Sequence, residues 1–253
     1  MESRRQEEER EKRELPVSGP DPKRRGNFVE ELFAEVSPTY DRLNHILSFR
    51  RDIAWRRKTA ALMRFPSKKA LLDLATGTGD LAIEAARRHP EIRVEGVDIA
   101  EPMLELGRRK VQEVGLADRV RLGLGDATAL PYPDDSFDVA AVAFGMRNIP
   151  DRLAALREMA RVVVPGGQVM VLEFSFAPLR LFRGPYRFYL TRILPALAGL
   201  VARDVSAYRY LVNTILAYPK PGEFDLLMAE AGLRKVSHLG LTMDTVFLHT
   251  GHK

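Results

Sequence analysis

Residues 71–80, Leu-Leu-Asp-Leu-Ala-Thr-Gly-Thr-Gly-Asp, constrain the fold more than any other stretch of the chain. An apolar run enters a loop carrying Gly77 and Gly79, then passes into Leu81-Ala82-Ile83-Glu84-Ala85-Ala86, a strong helix-forming sequence. This order predicts a strand, a tight turn and a helix start. Glycine admits backbone conformations and close approaches closed to other residues, and a helix N-terminus presents unpaired N–H groups. Nineteen residues beyond Gly79, Asp98 ends a second apolar run, where an acid would hold a ribose hydroxyl. The stretch has the character of a nucleotide-cofactor loop.

Downstream the alternation is regular. Apolar runs predict strands over 70–74, 93–98, 120–124, 137–143 and 168–174, and helical periodicity predicts helices over 80–88, 101–114 and 151–162. Near-continuous apolar strands alternating with helices indicate an α/β, Rossmann-like, doubly wound parallel sheet. Pro165-Gly166-Gly167 reads as the turn into the fifth strand. A helix over 224–231 and strands over 236–241 and 245–250 close the chain, and their short link implies an antiparallel last strand in a seven-stranded sheet.

The flanking segments break this rhythm. Residues 1–26 are nearly all charged or turn-forming and read as a disordered tail, leaving 27–253 as one domain. Within 27–66, apolar residues at helical spacing (Phe28, Leu32, Val36, then Leu43, Ile46, Leu47) predict a helical cover over the sheet edge or cofactor mouth. Tyr40 and Asn44 fall a turn apart on one face of it, and Trp55 reads as core packing. Residues 175–217 form a helical insertion after the fifth strand, mixing Arg180, Arg183, Arg187 and Arg192 with Phe182, Tyr186, Phe188 and Tyr189. Two readings fit it: a lid or membrane-facing surface, or an ordinary helical pair packed on the sheet.

Composition narrows the chemistry. The absence of cysteine excludes disulfides, thiolate metal sites and a cysteine nucleophile. The formal charge of +5 would suit an acidic surface without deciding between nucleic acid and anionic lipid. No run approaches the roughly 20 apolar residues of a membrane span, and the N-terminal charges are unlike a secretory signal, so a cytoplasmic protein is expected. His45, His238, His249 and His252 have no ligand-like spacing, which gives an expectation of no metal.

The glycine loop suits either of two ligands. Ala82 stands at the third position of the looser dinucleotide fingerprint. Asp80 directly after the loop would repel a pyrophosphate, whereas Asp73 and Asp80 together suit the sulfonium and amino groups of S-adenosylmethionine. Gly125-Asp126-Ala127 follows the third strand, where Asp126 either accepts from an adenine amino group or caps the next turn.

Thr76-Gly77-Thr78-Gly79-Asp80, Gly125-Asp126-Ala127, Phe144-Gly145-Met146-Arg147-Asn148, Leu172-Glu173-Phe174-Ser175 and Ser206-Ala207-Tyr208-Arg209-Tyr210-Leu211 closely resemble the ubiquinone/menaquinone biosynthesis C-methyltransferase family. The resemblance runs from about Phe28 to the end of the chain. It implies that Thr78, Asp98, Asp126 and Ala127 contact the methyl donor, beside Thr76, Gly77 and Gly79. Many members have a serine where this chain has Ala143, so one contact there is lost or passes to the backbone. The family often has a glycine where Arg50 stands. The implied acceptor is a prenylated quinol, demethylmenaquinol or the ubiquinone precursor, which gives the basic, aromatic insertion a purpose in peripheral membrane contact.

Carbon methylation of such a ring needs alignment and a stabilised phenolate. Arg147 is expected as its positive partner, the alternative being a structural ion pair, and Asn148 as a hydrogen-bond donor. Water held by Arg147, Tyr40 or Asp204 would take the proton. No nucleic-acid acceptor is expected, because the fourth strand lacks the Asn/Asp-Pro-Pro-aromatic ending of amino-group methylation. A homodimer is left open.

Overall fold

The computed structural model describes residues 48–177, 180–193 and 206–253. The predicted tail over 1–26, the part of the helical cover over 27–47 with Tyr40 and Asn44, and Asp204 all lie outside the described residues.

A seven-stranded sheet runs in the order β3-β2-β1-β4-β5-β7-β6. The strands are β1 (Ala70–Leu74), β2 (Arg93–Asp98), β3 (Val120–Leu124), β4 (Phe137–Ala143), β5 (Val163–Phe174), β6 (Arg234–Leu241) and β7 (Val246–His252). Pairings among β1 to β5 are parallel, while β7 lies between β5 and β6 and is antiparallel to both. β1 lies inside the sheet and is apolar except for Asp73, with Leu71, Leu72 and Leu74 wholly buried. Strand alternation then divides the core. Leu71, Val139 and Ala141 pack with α1 (Arg51–Leu62), α2 (Asp80–Arg88) and α3 (Glu101–Glu113) on one face. Leu72, Ala140 and Val142 pack with α4 (Arg152–Val162) and α7 (Pro221–Glu230) on the other. Helices on both faces of a mostly parallel sheet are the doubly wound architecture that the alternation predicts.

Two boundaries differ most from the sequence expectation. β5 begins at Val163, so Pro165-Gly166-Gly167 lies inside the strand. Phe137 pairs with Val163 and Val139 with Gln168, so β5 takes five steps where β4 takes two. Gly166, at φ 80°, accommodates this bulge, and its amide donates to the carbonyl of Lys253. Helix α7 starts at Pro221, three residues before the predicted start, because proline is favoured in a first helical turn and the Lys220 amide donates to the Glu223 carboxylate at 3.0 Å.

The described part of the insertion comprises a 3-10 turn (Arg180–Phe182), α5 (Arg183–Phe188), a π turn (Tyr189–Ile193) and α6 (Ser206–Ala217). Leu190, Val212 and Ile215 form a small core of their own, packed against Phe174 at the end of β5. The insertion therefore caps the carboxyl end of the sheet, where α/β folds place their ligands.

Asp138 fixes the entry to β1. It is wholly buried in β4, and its carboxylate accepts from the amides of Ser67 at 2.8 Å and Ala70 at 3.2 Å. Removing it leaves two partly buried N–H groups unsatisfied, so Asp138→Ala is expected to lower stability by about 2 to 4 kcal/mol. An unchanged urea midpoint in that variant would refute this clamp.

Candidate active site

The glycine loop leaves β1 through Ala75 at φ 47° and ends with Gly79 at φ 78°, which is the N-cap of α2. A left-handed N-cap between strand and helix is a position that glycine fills without strain. The loop is tied down from below. Thr76 donates its amide to the Val97 carbonyl at 3.0 Å and its hydroxyl to Asp73 at 2.7 Å. Gly77 donates its amide to Asp98 at 2.8 Å, and the other Asp98 oxygen accepts from Ala100 at 3.0 Å. Asp98, half-buried at the end of β2, thus faces the loop that the sequence spacing pairs it with; burial raises its carboxyl pKa and the backbone bonds oppose that.

The two acids invoked to attract a cationic donor are placed differently from the expectation. Asp73 is 1 % exposed beneath the loop, and burial pushes its carboxyl up to about 7, against the smaller opposing pull of the Thr76 hydroxyl. It braces the loop through Thr76. Asp80 meets Lys110 of α3 at 2.5 Å and Arg56 of α1 at 3.7 Å. Its charge is thus paired with a lysine and an arginine of the protein. Thr78 is buried and its hydroxyl accepts from the same Lys110 at 3.0 Å.

Beyond β3, Asp126 is exposed, and one of its oxygens accepts from the Thr128 amide at 2.8 Å and hydroxyl at 2.7 Å. This is the capping arrangement. Ala127 is buried beside Leu130 in the second core cluster.

At the end of β4, Ala143 is partly buried and Phe144 adopts φ 61°, a left-handed conformation uncommon for a bulky residue. Gly145 follows, and a Cβ there would stand 2.5 Å from that of Ala75, so the β4 loop touches the glycine loop directly. Arg147 and Asn148 lie in a buried 3-10 turn. Arg147 Nη1 donates to Glu173 at 2.8 Å and to the Phe144 carbonyl, and its backbone amide donates to the second Glu173 oxygen at 3.1 Å. The guanidinium expected to face a phenolate is held in an ion pair whose acid is wholly buried, and it also borders a cavity that Phe144 lines. Burial demands this pairing, since either charge alone would be costly. Asn148 Oδ1 is buried and has no hydrogen-bond partner among the described residues.

Phe144 forms one wall of a cavity of about 370 Å³ between α1, the ends of β4 and β5, and the insertion. Trp55, Phe144 and Phe174 line it as a mutually packed trio, with centroids 5.9, 5.8 and 4.8 Å apart, and Tyr186 and Tyr189 close it from the insertion. Trp55 is both core and lining: it is buried, it borders the space, and its Nε1 donates to Thr242. Arg56 joins the two halves of the site: it lines the cavity, stacks over Phe144 at 5.3 Å and approaches Asp80 below the loop. The sequence reading missed Asp52 and Arg56. Their signal is an Asp/Arg pair at i,i+4 beside the single tryptophan.

Sequence spacing also concealed a histidine cluster. His238 and His249 face each other across β6 and β7, and Asp225 accepts from both at 2.5 and 2.7 Å. One ligand-type atom from each lies within 4.8 Å of the others.

Comparison with known proteins adds a separate line. The sequence model described as the ubiE/COQ5 methyltransferase family matches residues 21–253. A protein of Thermus thermophilus named demethylmenaquinone methyltransferase is 44% identical, over 88% of this chain and 100% of its own. A Geobacter sulfurreducens protein named ubiquinone/menaquinone biosynthesis C-methyltransferase is 41% identical over 90% of each. Among solved structures, a Thermotoga maritima S-adenosylmethionine-dependent methyltransferase superposes with a TM-score of 0.63 at 19% identity, over 88% of this chain and 99% of that one, a likeness of fold.

The buried Asp73 makes a prediction about pH. Its carboxyl rises from an ordinary value of 3.8 to about 7, so between those values the native state holds a proton that the unfolded chain has released. Stability contributed by this group therefore falls as pH rises from about 4 to about 7 and is level above. Asp73→Asn is expected to flatten that decline in thermal unfolding, while identical pH dependence in variant and parent would contradict it.

Proposed function

The chain belongs to the ubiE/COQ5 methyltransferase family, and from that premise we propose that it methylates a ring carbon of a prenylated quinol with S-adenosylmethionine. Demethylmenaquinol is the acceptor best supported, because relatives of Thermus and Deinococcus at 44% and 40% identity carry the name demethylmenaquinone methyltransferase. The observation that carries the reading is the aromatic cavity set against the glycine loop through Phe144 and Gly145. A flat apolar ring fits between Trp55, Phe144 and Phe174 far better than a charged polymer would.

The donor supplies an electrophilic methyl group. The residues beside the cavity suit it. Asp98 and Asp126 follow adjacent parallel strands and offer carboxylate oxygens to ribose and adenine protons, while Thr76, Gly77, Thr78 and Gly79 give a loop without bulk. Ala127 and Ala143 keep their proposed places beside the donor. The orphaned Oδ1 of Asn148 is a buried acceptor suited to an N–H or ammonium group. Asp73 and Asp80 hold the loop through Thr76 and through Lys110 and Arg56. Arg147 acts by fixing Phe144, and Tyr40 and Asp204 are proposed to hold the water that receives the proton leaving the ring carbon.

The domain spans 27–253, with 1–26 as a separate charged tail. The insertion supports peripheral contact with the inner face of the cytoplasmic membrane: Leu181 and Phe188 are 82% and 59% exposed beside Arg183, Arg187 and Arg192. No helix among the described residues is long and apolar enough to cross a membrane.

Incubation with labelled methyl donor and separate short-tailed demethylated naphthoquinol, benzoquinol and RNA is expected to label the naphthoquinol ring. Label on RNA alone would overturn the proposal. Arg147→Lys is expected to lose at least roughly tenfold in rate by loosening Phe144, with donor affinity nearly kept. For the insertion, Leu181→Asp with Phe188→Asp should reduce cosedimentation with anionic vesicles. Equal recovery of parent and variant would refute the membrane-facing reading.

A further inference from the structure

We infer that Asp52 is the proton acceptor for the ring hydroxyl during methyl transfer; this rests on the quinol reading above. Asp52 is 3 % exposed in the first turn of α1, yet it borders the aromatic cavity. Among the described residues that line the cavity it is the only carboxylate; the other charged lining groups are Arg51, Arg56 and Arg147. Arg147 is occupied by Glu173, and the tyrosine hydroxyls of Tyr186 and Tyr189 are pushed upward in pKa by burial, which suits them poorly as bases. Asp52 is therefore the lining group whose geometry and chemistry suit a proton acceptor.

Its surroundings hold it in one orientation. Ser48 donates its hydroxyl to Oδ1 at 2.6 Å, and Arg56 Nη1 donates to Oδ2 at 2.6 Å. The N-terminus of α1 adds favourable partial positive charge. Arg56 then lies beside both the carboxylate and the Phe144 ring, where negative charge on an acceptor oxygen would be compensated. Asp80, behind Arg56, is the other acid facing this group, and Lys110 shares it.

A weak base is sufficient because of how the hydroxyl changes. The ring carbon ortho to it uses a π pair to form the new C–C bond, while the S–C bond breaks with its electrons going to sulfur. The hydroxyl thereby becomes that of a protonated carbonyl, strongly acidic, and its proton passes to Asp52. Loss of the C–H proton to water restores the aromatic ring, and Asp52 returns its proton to the oxygen. One proton is released overall, and the carboxylate is regenerated.

The test uses Asp52→Asn, Asp52→Glu and the parent protein, with a short-tailed demethylated naphthoquinol as acceptor. Trp55, the single tryptophan, lines the same cavity, so its fluorescence reports acceptor binding without any methyl donor. Asp52→Asn is expected to keep acceptor affinity within a few-fold and to lose kcat by roughly 100-fold near pH 7. Its rate should recover as pH approaches about 10, where a phenol ionises unaided. Asp52→Glu should retain part of kcat. An unaltered pH profile and kcat in Asp52→Asn, or a loss confined to acceptor affinity, would overturn the assignment. If thermal melting shows Asp52→Asn unfolded, the decision passes to Asp52→Glu, where parental kcat would overturn it. A parent protein that methylates no quinol would instead overturn the functional reading.

Discussion

The buried pair of Arg147 and Glu173 is the interaction on which the site depends. Glu173 is wholly buried near the end of β5, and Arg147 reaches it from the turn after β4. Two charges removed from water at such a point persist only because each satisfies the other, and separating a pair of this kind costs about 3 to 5 kcal/mol. The same guanidinium takes the Phe144 carbonyl, which holds that residue in its left-handed conformation. From there the ring of Phe144 becomes a cavity wall, and Gly145 is brought against Ala75 of the glycine loop. One ion pair thus positions the crevice after β1 and the cavity beyond β4 relative to each other.

A second consequence concerns charge. Asp80 is shared by Lys110 and Arg56, Arg56 also meets Asp52, and Asp73 lies in a site that favours its neutral form. The protein presents preorganised hydrogen-bonding groups rather than an unbalanced field. Recognition then comes from shape and local donors and acceptors in an aromatic enclosure, where an electrostatic contact is stronger than in water.

The sheet was legible from near-continuous apolar runs in the buried β1 and β4 and from alternating burial in β2 and the edge strand β3. The ends of β1, β2, β3 and β4 and of α2 follow directly from sequence for that reason. The start of β5 was not, because Pro165-Gly166-Gly167 carries turn residues that pairing absorbs as a bulge. Within the site, Asp98 and the glycine loop were legible from spacing along adjacent parallel strands. Compensation was hidden, since Lys110 reaches Asp80 from 30 residues away and Glu173 reaches Arg147 from 26. Likewise, the facing of His238 and His249 is a matter of strand register, which sequence distance does not display. What sequence conveys well is periodicity and local chemistry, and what it withholds is which charge neutralises which.

The central claim is spatial: the aromatic cavity holds the acceptor ring while the glycine loop holds the donor. A crystal structure with S-adenosylhomocysteine and a short-tailed demethylated naphthoquinol tests it directly. The ring is expected between Trp55, Phe144 and Phe174, with one hydroxyl within hydrogen-bond reach of Asp52 and the donor sulfur toward Phe144. A ring bound elsewhere, with the cavity filled only by water, would contradict it.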